Sequence, residues 1–255
     1  MNQKIVDELM SIEADNGVRV LYACESGSRA WGFPSVDSDY DIRFIYIHPT
    51  EWYLSVFDKP DYLEKMEGLL DFSGWDLRKA LRLFRKSNPA LMEWLQSPVI
   101  YKEATSFTTI MKEKMSMVFS SRSSLYHYLN MARGNLREYL QGELVKVKKY
   151  FYVLRPVLAC MWIERFNTVP PMEFECLLNN LLPEGNLKSE IRTLLIRKRA
   201  GEELAFEPKI KIINEFINHE LEYFQSLLVR KQTTSIVDEE TFDIIFRQSL
   251  KEIWG

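Results

Sequence analysis

Cysteine is scarce in this chain of 255 residues, and the three present, Cys24, Cys160 and Cys176, each stand in an apolar neighbourhood. So sparse and odd a set excludes a disulfide framework and fits a reducing compartment, which places the protein in the cytoplasm. Only three histidines occur, and no cysteine–histidine spacing suggests zinc. No apolar run approaches the roughly 20 residues that a membrane-spanning helix needs. The N-terminal stretch MNQKIVDELMSIEADNG reads as an acidic amphipathic helix rather than a signal peptide. Excess positive charge is also missing: the formal net charge is −3. A polybasic nucleic-acid coat is thereby excluded, and nucleic-acid contact has to come from a local basic patch. There is no internal repeat and no low-complexity tract. With 46% hydrophobic residues the chain is long enough for one large domain or two small ones.

What the chain does contain is concentrated between Leu21 and Ile47. An apolar run ends in Ser26-Gly27-Ser28, a Pro-containing connection follows over 33–38, and Asp39 and Asp41 then lead into Ile42-Arg43-Phe44-Ile45-Tyr46-Ile47. Side chains two apart on a strand share a side, so Asp39 and Asp41 are expected together. Adjacent carboxylates repel unless a cation separates them, and oxygen-only ligands of this kind suit Mg²⁺. Glycine lets backbone N–H groups approach an anion closely, and Ser28 adds a hydroxyl donor. Arg29, in the first turn of a short helix over 28–31, is placed either to reach a phosphate or to pair with Glu25 or Asp37.

Gly27-Ser28, ten intervening residues and Asp39-Tyr40-Asp41 resemble the signature of the DNA polymerase β-like nucleotidyltransferase superfamily. GSRAWGFPSVDSDYDIRFIY, GWDLRKALRLFRKSNPALMEWLQSPVIY and KVKKYFYVLRPVLACMWI narrow the resemblance to the RNA-ligase-associated, or RNA repair, nucleotidyltransferases, over roughly the first two-thirds of the chain. The resemblance implies that the turn after Gly27-Ser28 grips a nucleoside triphosphate. It also implies that Asp39 and Asp41 bind two divalent ions, Mg²⁺ or Mn²⁺, and that an acid on a neighbouring strand completes the site. Asp71, closing an expected strand over 68–73, is the choice for that acid. Asp76 is the alternative, although an N-cap role on the following helix already accounts for it.

The expected fold is α+β, with a small mixed-sheet nucleotidyltransferase domain over 1–104 and an all-helical domain over 105–255 that walls the nucleotide and acceptor cleft. Strands are expected at 18–23, 41–47, 68–73 and 99–101, with 57–67 as a charged connection. Helices are expected at 5–14, 51–54, 77–86, 90–95, 105–118, 122–140, 144–166, 171–182, 187–200, 208–230 and 238–254. Between Arg122 and Arg165, eight Lys or Arg stand against three Glu, with tyrosines interleaved. Lys148, Lys149 and Arg155 are taken from this set as nucleotide-binding residues. The basic face Arg78, Lys79, Arg82, Arg85 and Lys86 reads as solvated, and His48 as a polar residue at a strand end.

The expected reaction is metal-dependent transfer of a nucleoside monophosphate to an acceptor hydroxyl, with an RNA 3′ end favoured over DNA. Two readings stand against it: AMP transfer to a protein or small molecule, and a non-catalytic nucleotide sensor of the same fold. Composition leaves the oligomeric state open.

Overall fold

The computed structural model describes residues 1–103, 105–202, 206–230 and 238–255. These form two compact units, one from residues 1–30, 39–118 and the C-terminal helix, the other from residues 31–38 and 119–230. The expected single boundary at 104/105 is thus replaced by a division after Val118 and by a short excursion at 31–38. Ala104 itself lies outside the described residues.

In the first unit α1 (Asn2–Asn16) buries Ile5, Leu9 and Ile12, one face of an amphipathic helix. It ends at Gly17, whose φ of 61° is the left-handed conformation that glycine adopts cheaply. Next come β1 (Arg19–Glu25), the single turn α2 (Gly27–Ala30), β2 (Tyr40–Ile47) and α3 (Thr50–Tyr53). The hairpin β3 (Tyr62–Glu67) and β4 (Leu70–Asp76) leads to α4 (Leu77–Arg85), α5 (Pro89–Leu95), β5 (Ile100–Glu103) and α6 (Phe107–Val118). The strands form one mixed sheet in the order β3-β4-β2-β1-β5, in which only β2 and β4 run parallel.

Two sequence expectations are corrected here. Residues 57–67 are not a mere connection but contain edge strand β3. Its period of two is carried by charged and half-buried residues (Lys65 pairs with Glu8, and Lys4 with Glu67), so hydrophobicity alone does not reveal it. The expected strand over 68–73 starts at Leu70 and runs on to Asp76. Gly74 is an interior strand residue, and the Phe44 ring lies across it. A Cβ there would stand 2.2 Å from Phe44 Cε2. Asp71 is consequently the second residue of its strand and not the last.

His48 ends just past β2, stacked on Trp52 at 3.8 Å and 6°. Burial, with Lys59 and Arg78 nearby, pushes its imidazole down to about 4. In the unfolded chain the same ring takes its proton near pH 6.5. Below that pH the unfolded state binds a proton that the folded state refuses, so stability falls as pH drops from about 6.5 towards 4. The expected loss is on the order of 2 kcal/mol, absent from a His48→Gln variant in parallel urea titrations at pH 7 and pH 4.5.

The second unit is built on α7 (Ser121–Tyr139) and α8 (Val147–Phe166), with α9 (Phe174–Leu181), α10 (Asn186–Arg199) and α11 (Lys211–Arg230) around them. It is not all-helical: β6 (Leu144–Lys146) and β7 (Phe206–Pro208) form a two-stranded ladder. Residues 31–38, which separate Ser28 from Asp39, join this core. Phe33 is buried 4.8 Å from Phe151 and 5.5 Å from Phe174, and the Phe174 N–H donates to the Trp31 carbonyl. The last helix, α12 (Glu239–Trp254), packs on α4 and α6 of the first unit through Phe242 and Ile245.

Candidate active site

Parallel pairing of β2 with β4 puts Asp41 abreast of Asp71 and Arg43 abreast of Ser73. Strand alternation then brings Asp41, Arg43 and Asp71 onto one face. The two carboxylates share a single guanidinium nitrogen. Arg43 Nη2 donates to Asp41 Oδ1 at 2.9 Å and to Asp71 Oδ2 at 2.8 Å. Nη1 donates to the carbonyls of Asp71 at 3.0 Å and Ile42 at 3.2 Å. The Arg43 side chain is 19% exposed, against 29% for Asp41 and 33% for Asp71. Burial raises the Asp41 pKa above the usual carboxylate range. Asp71 and Asp39 push the same way, and the Arg43 charge opposes them. Asp39 lies exposed at the head of β2.

The Gly27 turn presses directly on this pair. Gly27 has φ 57°, and a Cβ built on it would lie 1.9 Å from Asp41 Oδ2, so only glycine leaves the carboxylate its place. The Asp41 backbone is fixed at both ends: its carbonyl accepts from Ser26 N–H at 2.8 Å, and its N–H donates to Glu25 Oε1 at 2.7 Å. Glu25 is almost fully buried, also accepts from the Tyr101 hydroxyl of β5, and has its pKa raised by desolvation. Ser28 is half-buried in α2. Arg29 lies over the Tyr40 ring at 3.6 Å, and its Nε donates to the Asp39 carbonyl at 3.1 Å, an arrangement that spans the turn and the aspartate strand.

Asp76 is elsewhere. It caps α4, accepting from Arg78 N–H at 2.9 Å, and takes the Tyr53 hydroxyl at 2.7 Å. It is buried, and it lies five positions along the strand from Asp71, about 16 Å at the rise of an extended chain. Of the two candidates for the third acid, the structure places Asp71 beside Asp41.

Lys148, Lys149 and Arg155 all lie on α8 in the helical unit. Lys148 is half-buried. Lys149 sits over Tyr139 at 3.6 Å and Tyr152 at 4.6 Å, where desolvation, with repulsion from Lys148, lowers its pKa. Arg155 is 2% exposed, lies 4.9 Å over the Trp31 ring and donates to the Met172 carbonyl. Most of α8 is buried, and the Arg155 guanidinium is part of the core of that unit.

Among the described residues no three Asp, Glu, His or Cys side chains converge on one point as an ion-holding group. The donor set nevertheless suits Mg²⁺ or Mn²⁺. Two oxygen ligands stand abreast, already spanned by one small cationic group, in a half-open setting that leaves the rest of a shell to waters and phosphate. Glu25 and Arg43 are the site residues that sequence reasoning missed. For Arg43 a signal existed, since it follows Asp41 by two in a strict alternation; for Glu25, at the end of an apolar strand, there was none.

The family described as the RNA repair pathway DNA polymerase beta family matches residues 1–248, well beyond the first two-thirds on which the resemblance rested. The uncharacterized protein YcgL of Bacillus subtilis (strain 168) is 49% identical over 255 residues, all of this chain and 98% of its own length. The crystal structure of a nucleotidyltransferase-like protein from Exiguobacterium sibiricum aligns over 98% of this chain and 89% of its own, with 12% identity and a TM-score of 0.31. No helix among the described residues is long and apolar enough to cross a membrane.

Proposed function

This chain belongs to the RNA repair pathway DNA polymerase beta family, and from that premise we propose that it moves a nucleoside monophosphate from a nucleoside triphosphate to an acceptor hydroxyl, an RNA 3′ end in the first instance. The observation that carries the reading is the Asp41–Asp71 pair, abreast on paired strands and in contact with the Gly27 turn. These carboxylates would hold a divalent metal, which when bound would neutralise the developing phosphoryl charge as a Lewis acid. The protein's own part is positional. Glu25 and Ser26 fix the Asp41 backbone, so its carboxylate holds one orientation without reorganising. Asp41 and Asp71 are both half-exposed, so either carboxylate can be reached from solvent. Gly27 and Ser28 offer close backbone and hydroxyl donors to phosphate.

The test is transfer from each α-labelled triphosphate, with Mg²⁺ or Mn²⁺, to RNA 3′ ends, DNA ends and whole-lysate protein, with pyrophosphate measured in parallel. Label on RNA with matching pyrophosphate supports the proposal. Label on protein selects the AMP-transfer reading, and triphosphate binding with no pyrophosphate selects the sensor.

A further inference from the structure

We propose that Arg43 is a positioning residue that acts as a built-in cation: it holds Asp41 and Asp71 together in the absence of metal and competes with free metal for them, so that a divalent ion enters together with a triphosphate. This rests on the metal-dependent reading of the site given above.

Two ionised carboxylates directly opposite one another on paired strands destabilise the sheet. Here the conflict is relieved inside the fold. One nitrogen, Nη2, is shared between Asp41 Oδ1 and Asp71 Oδ2, the two carboxylates that would hold a divalent ion. Metal binding is therefore an exchange of one cation for another, and the affinity for metal alone is reduced by whatever Arg43 contributes to the pair. The other nitrogen is held differently. Nη1 rests on two backbone carbonyls, those of Ile42 and Asp71, which do not move when a carboxylate changes partner. The guanidinium can thus give up its Nη2 contacts by pivoting on Nη1, and it stays beside the site. With the ion in place the local charge is two carboxylates against one guanidinium and a divalent cation, a net +1 from these four groups. That surplus favours a polyanion, and the released Nη2 donors are of the kind that binds phosphate oxygen. Metal and triphosphate are coupled through this one side chain, and by linkage each tightens the other.

The experiment is Mn²⁺ binding to the full chain, by calorimetry and by the paramagnetic signal of unbound Mn²⁺, with and without a non-hydrolysable α,β-methylene triphosphate. The proteins are the parent, Arg43→Gln, Arg43→Lys and Asp41→Asn. Removing the competing charge should tighten Mn²⁺ binding alone by about tenfold in Arg43→Gln, and should shrink the further tightening that the analogue produces. Arg43→Lys keeps the charge but reaches one carboxylate at a time, so its Mn²⁺ affinity should fall between the two. If Arg43→Gln does not fold, the lysine variant decides alone. Mn²⁺ binding that depends on Asp41 but is unchanged or weakened in the Arg43 variants overturns the competition and leaves the proposed function standing. Mn²⁺ binding that ignores Asp41→Asn, or is missing from the parent even with the triphosphate analogue present, overturns both.

Discussion

Asp41→Asn is expected to abolish nucleotide transfer, by at least about a thousandfold, while the protein stays folded. The amide keeps the shape of the carboxylate, and its oxygen can still accept from Arg43 Nη2, whose second partner Asp71 is untouched. What disappears is a negative charge that burial, Asp71 and Asp39 already disfavour. Those opposing effects should leave stability without metal within about 1 kcal/mol of the parent. The Mg²⁺- and triphosphate-dependent rise in Tm should vanish, because nothing binds the native state preferentially any more. Asp76→Asn gives the opposite pattern. It weakens the α4 cap and the Tyr53 contact in a buried setting, so it should cost about 1–2 kcal/mol yet leave the folded fraction active. Thermal melts in chelator and in Mg²⁺ with triphosphate, together with transfer rates, separate the two. An Asp41→Asn protein that transfers within tenfold of the parent would sink the metal-site reading.

The candidate site is legible in the sequence because its signals are local. Gly27, Asp39 and Asp41 sit within one strand–turn–strand stretch, and alternation alone puts the two aspartates on one side. Asp76 was readable as a cap because an acid directly before a Leu77, Ala80, Leu81, Phe84 stripe has one common use, and it accepts from Arg78 N–H as that use requires. What escaped depends on pairing between distant segments. The parallel register of Asp41 with Asp71 is a β2–β4 property, and only that register aims Arg43 at both carboxylates. Arg155 was misplaced for a related reason. The helix that carries it is buried on nearly every side, so periodicity cannot say which way one cation points. The three-residue strands β6 and β7 are too short to show any period: β6 falls inside the helix expected over 144–166, and β7 in the break that precedes the helix expected over 208–230. Residues 33–38 read as a Pro-containing loop and Trp31 as the end of a short helix, yet Trp31 and Phe33 are anchors in the helical core, which local composition does not reveal.

Gly27→Ala should damage stability and transfer together, and Gly17→Ala supplies its control. Both glycines have the same left-handed backbone, φ 57° at Gly27 and 61° at Gly17, so an alanine at either pays about 1 kcal/mol for conformation. Their surroundings differ completely. A Cβ at Gly17 meets nothing within 4 Å, whereas one at Gly27 falls 1.9 Å from Asp41 Oδ2 and 2.8 Å from its Cγ. The carboxylate cannot retreat by moving its backbone, which Glu25 and Ser26 hold at both ends. It must rotate away from Arg43 or force the turn open. Either displacement is more than 1 Å, which in a positioned site costs about a hundredfold in rate. Gly17→Ala is therefore expected to lose about 1 kcal/mol and keep the parent's transfer rate. Gly27→Ala should lose about 2–3 kcal/mol, with transfer down by about a hundredfold or more. Urea midpoints for both variants give the clash energy as the difference between them, free of the shared backbone strain. If Gly27→Ala matches Gly17→Ala in stability and the parent in rate, then the contact between the turn and Asp41 has no part in the chemistry, and the carboxylate does its work from some other position.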